Sequence, residues 1–165
     1  MPFRIVPLDS THDRSGFNSS VSALDNYFKL QATQDARRNV AKCFVALDPD
    51  ERIAGYYTLA SASVPLTELP ENLIKKLPRY PSIPAVRMGR LAVDRSFQGQ
   101  RLGAGLLADA LKRTLRAEIA AYALLVDAKD QAAAAFYRHH AFTALPQSPL
   151  TLLLPLAIAS KMLRG

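Results

Sequence analysis

The residues from Phe97 to Leu107, FQGQRLGAGLL, place three glycines, two glutamines and an arginine ahead of a leucine-rich stretch with helical spacing. Glycine lets a backbone approach a ligand closely. The first N–H groups of a helix have no acceptor within it and sit at the positive end of its dipole, so the composition suits an anion cradle. Three phosphate-binding patterns compete for it. A Walker loop needs Lys and then Ser or Thr after its last glycine, but Leu106 follows Gly105 and excludes it. Gly103-Ala104-Gly105-Leu106-Leu107-Ala108 satisfies G-x-G-x-x-A, with Asp127 closing the next strand where a ribose-binding carboxylate would stand. That fingerprint puts its first glycine straight off a strand, whereas DRSFQGQRL separates Gly103 from the strand RLAV. The dinucleotide reading therefore stays as the weaker alternative. The third pattern, Q-x-x-G-x-G from Gln100 to Gly105, lies after a strand and at the start of a long helix, where a pyrophosphate fits.

Other reactive side chains are less eloquent. Cys43, the one cysteine, sits in the apolar run KCFVAL and reads as an inert buried thiol. His139 and His140 are adjacent, so on a helix they diverge and cannot chelate one metal; no metal is expected. Ser96 lacks a G-x-S-x-G setting and takes no nucleophilic role. Asp94 and Asp127 are candidates to orient water or substrate, with a turn-capping role favoured for Asp127. Taken alone, Tyr137 is a core aromatic beside Phe136.

The elements that must position these residues follow from periodicity and turn chemistry. Phe3–Leu8 reads as a strand, and the polar residues 9–20 as a loop. Residues 22–38 read as one amphipathic helix with Leu24, Tyr27, Phe28 and Leu30 in register, Ser22 as its N-cap, and Arg37 and Arg38 at its cationic end. Residues 42–47 and 52–64 form a hairpin across DPDER. The proline-punctuated stretch 65–84 is a loop with a short helix at 71–76. A strand over 85–93, a helix over 103–120, a strand over 121–127, a helix over 131–140 and a last strand over 150–156, ended by Pro155, complete the order. An antiparallel start followed by β-α-β units predicts an α/β fold, a mixed central sheet flanked by helices on both faces.

At 165 residues the chain is expected to be a single domain over 1–165. A lone cysteine excludes an internal disulfide framework, and no apolar run reaches membrane-span length. No signal-peptide pattern opens the chain, so a cytoplasmic, bacterial-type setting without a membrane partner is expected. The excess of 21 Lys+Arg over 14 Asp+Glu, a net charge of +7, favours an anionic partner such as nucleic acid.

Three motifs in order carry a family resemblance. The Q-x-x-G-x-G loop, the upstream strand GRLAVDRSFQGQ and the downstream AFYRHHAF resemble the GNAT acetyltransferases, and the element order agrees over nearly the whole chain. Within that family, the stretches SALDNYFKLQATQDARRNVAKCFVAL, LPRYPSIPAVRMGRLAVDRSFQGQRLG and LTLLLPL are similar to the acetyltransferase toxins of bacterial type II toxin–antitoxin pairs. One departure is Ala141, where the family has glycine at a helix end that favours the left-handed conformation. Keeping that conformation with alanine would cost about 1 kcal/mol.

The resemblance implies acetyl-CoA as cosubstrate, held by Leu91, Ala92, Val93, Gln98, Gly99, Gln100, Arg101, Leu102, Gly103, Ala104, Gly105 and Tyr137. It implies Val93 N–H as oxyanion donor and Tyr137 as proton donor to the leaving thiolate, the phenol pKa of about 10 matching that task. The acceptor it implies is the α-amino group of aminoacyl-tRNA, whose pKa of about 7.7–8.0 is lowered further by esterification, so no strong protein base is needed. Arg37, Arg38, Lys42, Arg79, Arg87, Arg90 and Arg95 would grip RNA phosphates. A homodimer and a cognate ribbon-helix-helix DNA-binding antitoxin are the implied protein partners. Two rivals stay open: a GNAT enzyme acting on a small amine or protein N-terminus, and a non-catalytic nucleic-acid-binding module that has kept the fold.

Overall fold

A computed structural model describes residues 3–164. Along the chain run β1 (Arg4–Pro7), α1 (Ser22–Leu30), α2 (Ala32–Arg37), β2 (Lys42–Leu47), β3 (Ile53–Pro65), α3 (Glu71–Ile74) and β4 (Ser82–Met88). There follow β5 (Leu91–Val93), α4 (Leu102–Arg116), β6 (Ala123–Asp127), α5 (Gln131–His139), β7 (Thr143–Leu145), β8 (Ser148–Pro155) and α6 (Leu156–Arg164). These elements divide between two compact units. The first comprises the chain up to Ala60 together with Gly89–Ala110, and the second Ser61–Met88 and the chain from Leu111 onward.

In the first unit, β1, β2, β3 and β5 pair antiparallel. The hairpin expected across DPDER forms because Asp48 Oδ1 accepts the N–H groups of Asp50 and Arg52, while Glu51 takes a positive φ of 64° at the tip. Phe28 stacks on Tyr56 with ring centroids 4.3 Å apart, and Phe17 meets both rings edge-on. Val45, Leu47, Ile53 and Ala92 complete this core. The expected helix over 22–38 is two helices. Gln31, at φ −122°, leaves the helical region, and its side-chain amide donates to Asp35 on α2. Ser22 is not the N-cap: Val21 holds that position without a side-chain bond. Asp25 instead accepts from the N–H and hydroxyl of Ser19, whose oxygen accepts Val21 N–H.

The strand expected over 85–93 also divides. β4 pairs parallel with β6 in the second unit, whereas β5 pairs antiparallel with β3 in the first, the change falling at Gly89 and Arg90. In the second unit the order β4-β6-β8-β7 makes the sheet mixed, with β6–β8 and β8–β7 antiparallel. Leu152, Leu153 and Leu154 are buried in succession, as are residues 123–126 of β6, so both faces of these strands are covered.

Two elements escaped sequence reading. β7 is only three residues long, and α6 begins immediately after Pro155. Proline suits the entry to a helix because the N–H it lacks would have had no helical acceptor; Leu156 N–H then donates to Tyr122 O, and Leu156 and Ala159 are buried. α4 stops at Arg116, short of the expected 120, where Ala117 N–H closes on Thr114 O.

Gly55 sets the approach of α4 to the sheet within the first unit. A Cβ there would lie 2.8 Å from Ala92 O and 2.9 Å from Leu106 Cδ1. The backbone oxygen cannot rotate away, so Gly55→Ala is expected to destabilise the protein by about 1–3 kcal/mol in urea unfolding. Gly16→Ala, whose Cβ meets nothing within 4 Å, should change stability by less than about 0.5 kcal/mol.

Candidate active site

β5 pairs with β3 through Leu91↔Tyr57, Ala92↔Tyr56 and Val93↔Gly55. Thr58 N–H donates to Arg90 O at 3.1 Å, and Asp94 N–H to Ala54 O at 2.8 Å. Antiparallel neighbours alternate between bonded and non-bonded pairs. The bonded positions are therefore Arg90, Ala92 and Asp94, and the backbone N–H and C=O groups of Leu91 and Val93 turn away from β3. Gln98 agrees with this phase, its side-chain amide donating to Val93 O at 3.1 Å. The result is a half-buried strand that directs Val93 N–H outward.

After β5 the chain is pinned by Asp94. Its carboxylate is buried, with Oδ1 accepting Ser96 N–H and Oδ2 accepting Asn18 N–H, both at 2.9 Å. Arg95 N–H donates to Asn18 O. Asp94 is thus committed to holding the loop, which replaces the expectation that it orients water or substrate. Residues 98–101 are exposed. Gly99 at φ 83° and Arg101 at φ 62° are both left-handed, and α4 starts at Leu102, one residue before the expected Gly103. A left-handed residue followed by a helical one gathers successive N–H groups into a concave nest, and the first helical bond runs from Gly105 N–H to Arg101 O. The N–H groups of Leu102, Gly103 and Ala104 precede that bond, at the positive end of the helix dipole. A Cβ on Gly105 would meet nothing within 4 Å, so neither its conformation nor protein packing requires glycine there. The open space over an exposed nest of donors fits a pyrophosphate.

In the second unit Tyr137 lies on α5, which Asp130 caps by accepting Ala133 N–H at 2.8 Å. Its ring is buried between Phe136 and Phe142 at centroid distances of 5.2 and 5.6 Å. Burial, and secondarily the negative charge of Asp127, push the phenol above its ordinary value, so it holds its proton throughout the physiological range. Ala141 keeps the left-handed conformation, at φ 75°. Asp127 does not stand ready for a ribose: Arg87 Nη1 lies 2.6 Å from both its carboxylate oxygens. Arg87 is correspondingly committed within the protein, which corrects its placement among cations left for RNA. His140 is half-buried against Phe136 and its imidazole is pushed toward the neutral form by burial and by His139; His139 is exposed.

Of the other cations, Arg37, Arg38 and Lys42 are exposed together where α2 leads into β2, Lys42 contacting Asn39. Arg95 is exposed in the first unit, and Arg79 in the second. Arg90 is half-buried, its guanidinium carbon 3.4 Å above the Tyr27 ring. Cys43 is buried as expected, its thiol pushed up to about 12 by burial. Sequence reasoning missed Asn18 and the Tyr27–Asp35 pair. Each reaches its partner across a long sequence separation or a helix break, and no local pattern signals it.

Removing Asp94 takes away the charged acceptor of two part-buried hydrogen bonds, from Asn18 N–H and Ser96 N–H. Asp94→Ala is expected to cost about 1–3 kcal/mol in urea unfolding and to weaken coenzyme A binding in calorimetry, with Asp94→Asn, which keeps one acceptor oxygen, falling between.

The acetyltransferase (GNAT) domain model matches residues 39–144. A tRNA-acetylating toxin of Mycobacterium tuberculosis is 37% identical over 155 residues, covering 93% of this chain and 90% of the relative. The structure of AtaT complexed with acetyl-methionyl-tRNAfMet superposes with a TM-score of 0.86 at 29% identity, covering 98% of this chain and 99% of the other. A tyrosine-to-phenylalanine variant of AtaT, bound to the C-terminus of the antitoxin AtaR and acetyl-CoA, gives a TM-score of 0.81 at 25% identity over the full length of both chains. With the domain model spanning β5 and the nest at the start of α4, and a relative 37% identical over nearly the whole chain, this chain belongs to the GNAT family of acetyltransferases.

Proposed function

We propose that this chain is a toxin acetyltransferase that moves an acetyl group from acetyl-CoA to the α-amino group of aminoacyl-tRNA and so blocks translation. The observation that carries the chemistry is the pairing phase of β5, which turns Val93 N–H outward beside the nest at the start of α4. The tRNA substrate rests on the 37% identity to a tRNA-acetylating toxin and on the net charge of +7.

Acetyl-CoA, when bound, supplies an acetyl group activated as a thioester. The N–H groups from Arg101 to Ala104 hold its pyrophosphate, Gly105 leaves the space over them open, and Gly99 and Gln100 shape the approach. Leu91, Ala92 and Val93 offer the strand edge, and Gln98 fixes its direction through Val93 O. Val93 N–H donates to the carbonyl oxygen that gains charge as the amine attacks. Tyr137 provides the proton for the departing sulfur while the amine's surplus proton leaves to water, so atoms and charges balance. The raised phenol stays protonated at physiological pH, which keeps the proton in place for the sulfur, and as a weaker acid than a free tyrosine it releases that proton less readily.

Arg37, Arg38, Lys42, Arg79, Arg90 and Arg95 contact tRNA phosphates in this reading, and Arg87 keeps to Asp127. The chain works as one catalytic domain over 1–165, as a homodimer in the bacterial cytoplasm, neutralised by a cognate antitoxin of the ribbon-helix-helix class. The family resemblance supports these partners, and the AtaT–AtaR complex supports the antitoxin. No helix among the described residues is long and apolar enough to cross a membrane.

Transfer of label from [acetyl-14C]acetyl-CoA to charged tRNA, beside uncharged tRNA and a Tyr137→Phe variant, tests the reading. Label should reach charged tRNA only, and Tyr137→Phe should slow it by about 10²- to 10⁴-fold. Transfer to small amines or peptides but not to RNA overturns the substrate; no transfer to any acceptor favours a binding module. The pH profile should rise as the amine deprotonates and show no descending limb at or below pH ~9, because the raised Tyr137 phenol stays protonated there.

Phosphate contacts also predict salt behaviour. Arg37→Ala and Arg38→Ala should each weaken tRNA binding and flatten the log–log salt slope by about 0.7–0.9, read by filter binding from 50 to 200 mM salt.

A further inference from the structure

Arg90 occupies the position where the β4–β5 segment changes partners, one residue before β5, and both its ends are held within the first unit. Its carbonyl accepts Thr58 N–H at 3.1 Å, and its guanidinium lies flat over the Tyr27 ring at 3.4 Å. Tyr27 is itself fixed, its hydroxyl donating to Asp35 Oδ2 at 2.7 Å. Asp35 Oδ1 accepts the Gln31 side-chain amide at 3.0 Å, across the break between α1 and α2. Asp35 O accepts Val40 N–H at 2.9 Å, anchoring the same residue from behind.

A guanidinium stacked by its face keeps its N–H edges for planar recognition of an anion, which an unstacked arginine would have to order first. A phenol that donates to a carboxylate carries a more electron-rich ring, which strengthens the attraction to the cation above it. The carboxylate keeps its charge while accepting from two neutral donors, and it attracts the guanidinium as well, so it helps to hold Arg90 in place over the ring. Arg90 lies three residues along the strand from Val93, about 10 Å at strand rise.

We propose that Tyr27 and Asp35 are positioning residues that preorganise Arg90 to bind the last phosphodiester of the acceptor RNA, on the 5′ side of the nucleotide whose ribose carries the aminoacyl ester. The inference rests on the tRNA-acetylating reading. In it, the break between α1 and α2 places the carboxylate that fixes the tyrosine, and the tyrosine fixes the arginine. Arg90 contacts substrate; Tyr27 and Asp35 act only through it.

Steady-state acetylation of charged tRNA by the full chain, with tRNA and acetyl-CoA varied separately, tests this with Arg90→Ala, Tyr27→Leu, Tyr27→Phe, Asp35→Asn and the double variant Tyr27→Leu/Arg90→Ala. Arg90→Ala should raise KM for charged tRNA at least tenfold, leave KM for acetyl-CoA in place and flatten the salt slope by about 0.7–0.9. Tyr27→Leu should raise the same KM by about 5- to 30-fold, the worth of a desolvated cation–π contact. Tyr27→Phe, which keeps the stacking face and loses the bond to Asp35, should recover part of the loss, and Asp35→Asn, which keeps an acceptor oxygen for the hydroxyl, should fall between wild type and Tyr27→Phe. In the Arg90→Ala background Tyr27→Leu should add nothing. The inference is overturned if Tyr27→Leu lowers thermal stability without moving KM for tRNA, if Tyr27→Phe is as impaired as Tyr27→Leu, or if the two losses multiply in the double variant. If the wild-type protein labels no charged tRNA, the tRNA-acetylating reading falls and takes this inference with it. Wild-type labelling with any of the contrary variant patterns sinks the inference alone.

Discussion

The alternation of hydrogen bonds between β3 and β5 is the constraint on which the site depends. Once Arg90 and Asp94 are bonded to Thr58 and Ala54, geometry leaves no choice for the residues between them: Ala92 faces β3, and Leu91 and Val93 present their polar backbone groups to the other edge. A one-residue slip would reverse this and bury the proposed oxyanion donor in the ladder. Gly55, opposite Val93, is bound to the same register, because the carbonyl of Ala92 and the side chain of Leu106 fill the space its Cβ would need.

In each unit, negative charge is used mainly to fix backbone. Asp94 collects two N–H groups, Asp25 secures the entry to α1, Asp48 builds the hairpin, and Asp130 caps α5. Each is a carboxylate placed against donors that would otherwise need water, so these acidic residues serve the fold, in a chain whose net charge is +7. Arg87 and Arg90 mark the contrast. The first is matched to Asp127, while the second rests on an aromatic face with its edges available.

What could be read from the sequence was what local chemistry encodes. The loop at 98–105, the helices α4 and α5, the hairpin and the buried thiol follow from glycine, turn aspartate and apolar spacing within a few residues. Where partners are distant the reading failed. Asn18 meets Asp94 across 76 positions, and neither residue's neighbourhood hints at the other. The division into β4 and β5 depends on which strand each half pairs with, which an apolar run cannot express. Pro155, expected to end the last strand, introduces α6 instead, and the spacing of Leu156, Ala159 and Leu163 carries that helix in the sequence. Val93 and Tyr137 could be named only through the resemblance; the pairing phase that turns Val93 outward came from three-dimensional structure.

Ala141 shows what a family motif preserves. The backbone at this position holds the left-handed geometry that glycine adopts readily, at a strain of about 1–2 kcal/mol, and closes the turn with Phe142 N–H on Tyr137 O and Ala141 N–H on Arg138 O. What this chain keeps at the helix end is therefore the left-handed backbone and not the letter. A search pattern that demands glycine there would pass over this chain and over any homologue that drifted the same way, while one written in torsion space would retain them. In this chain that helix end accepts an alanine without the phenol losing its seat beside Phe142.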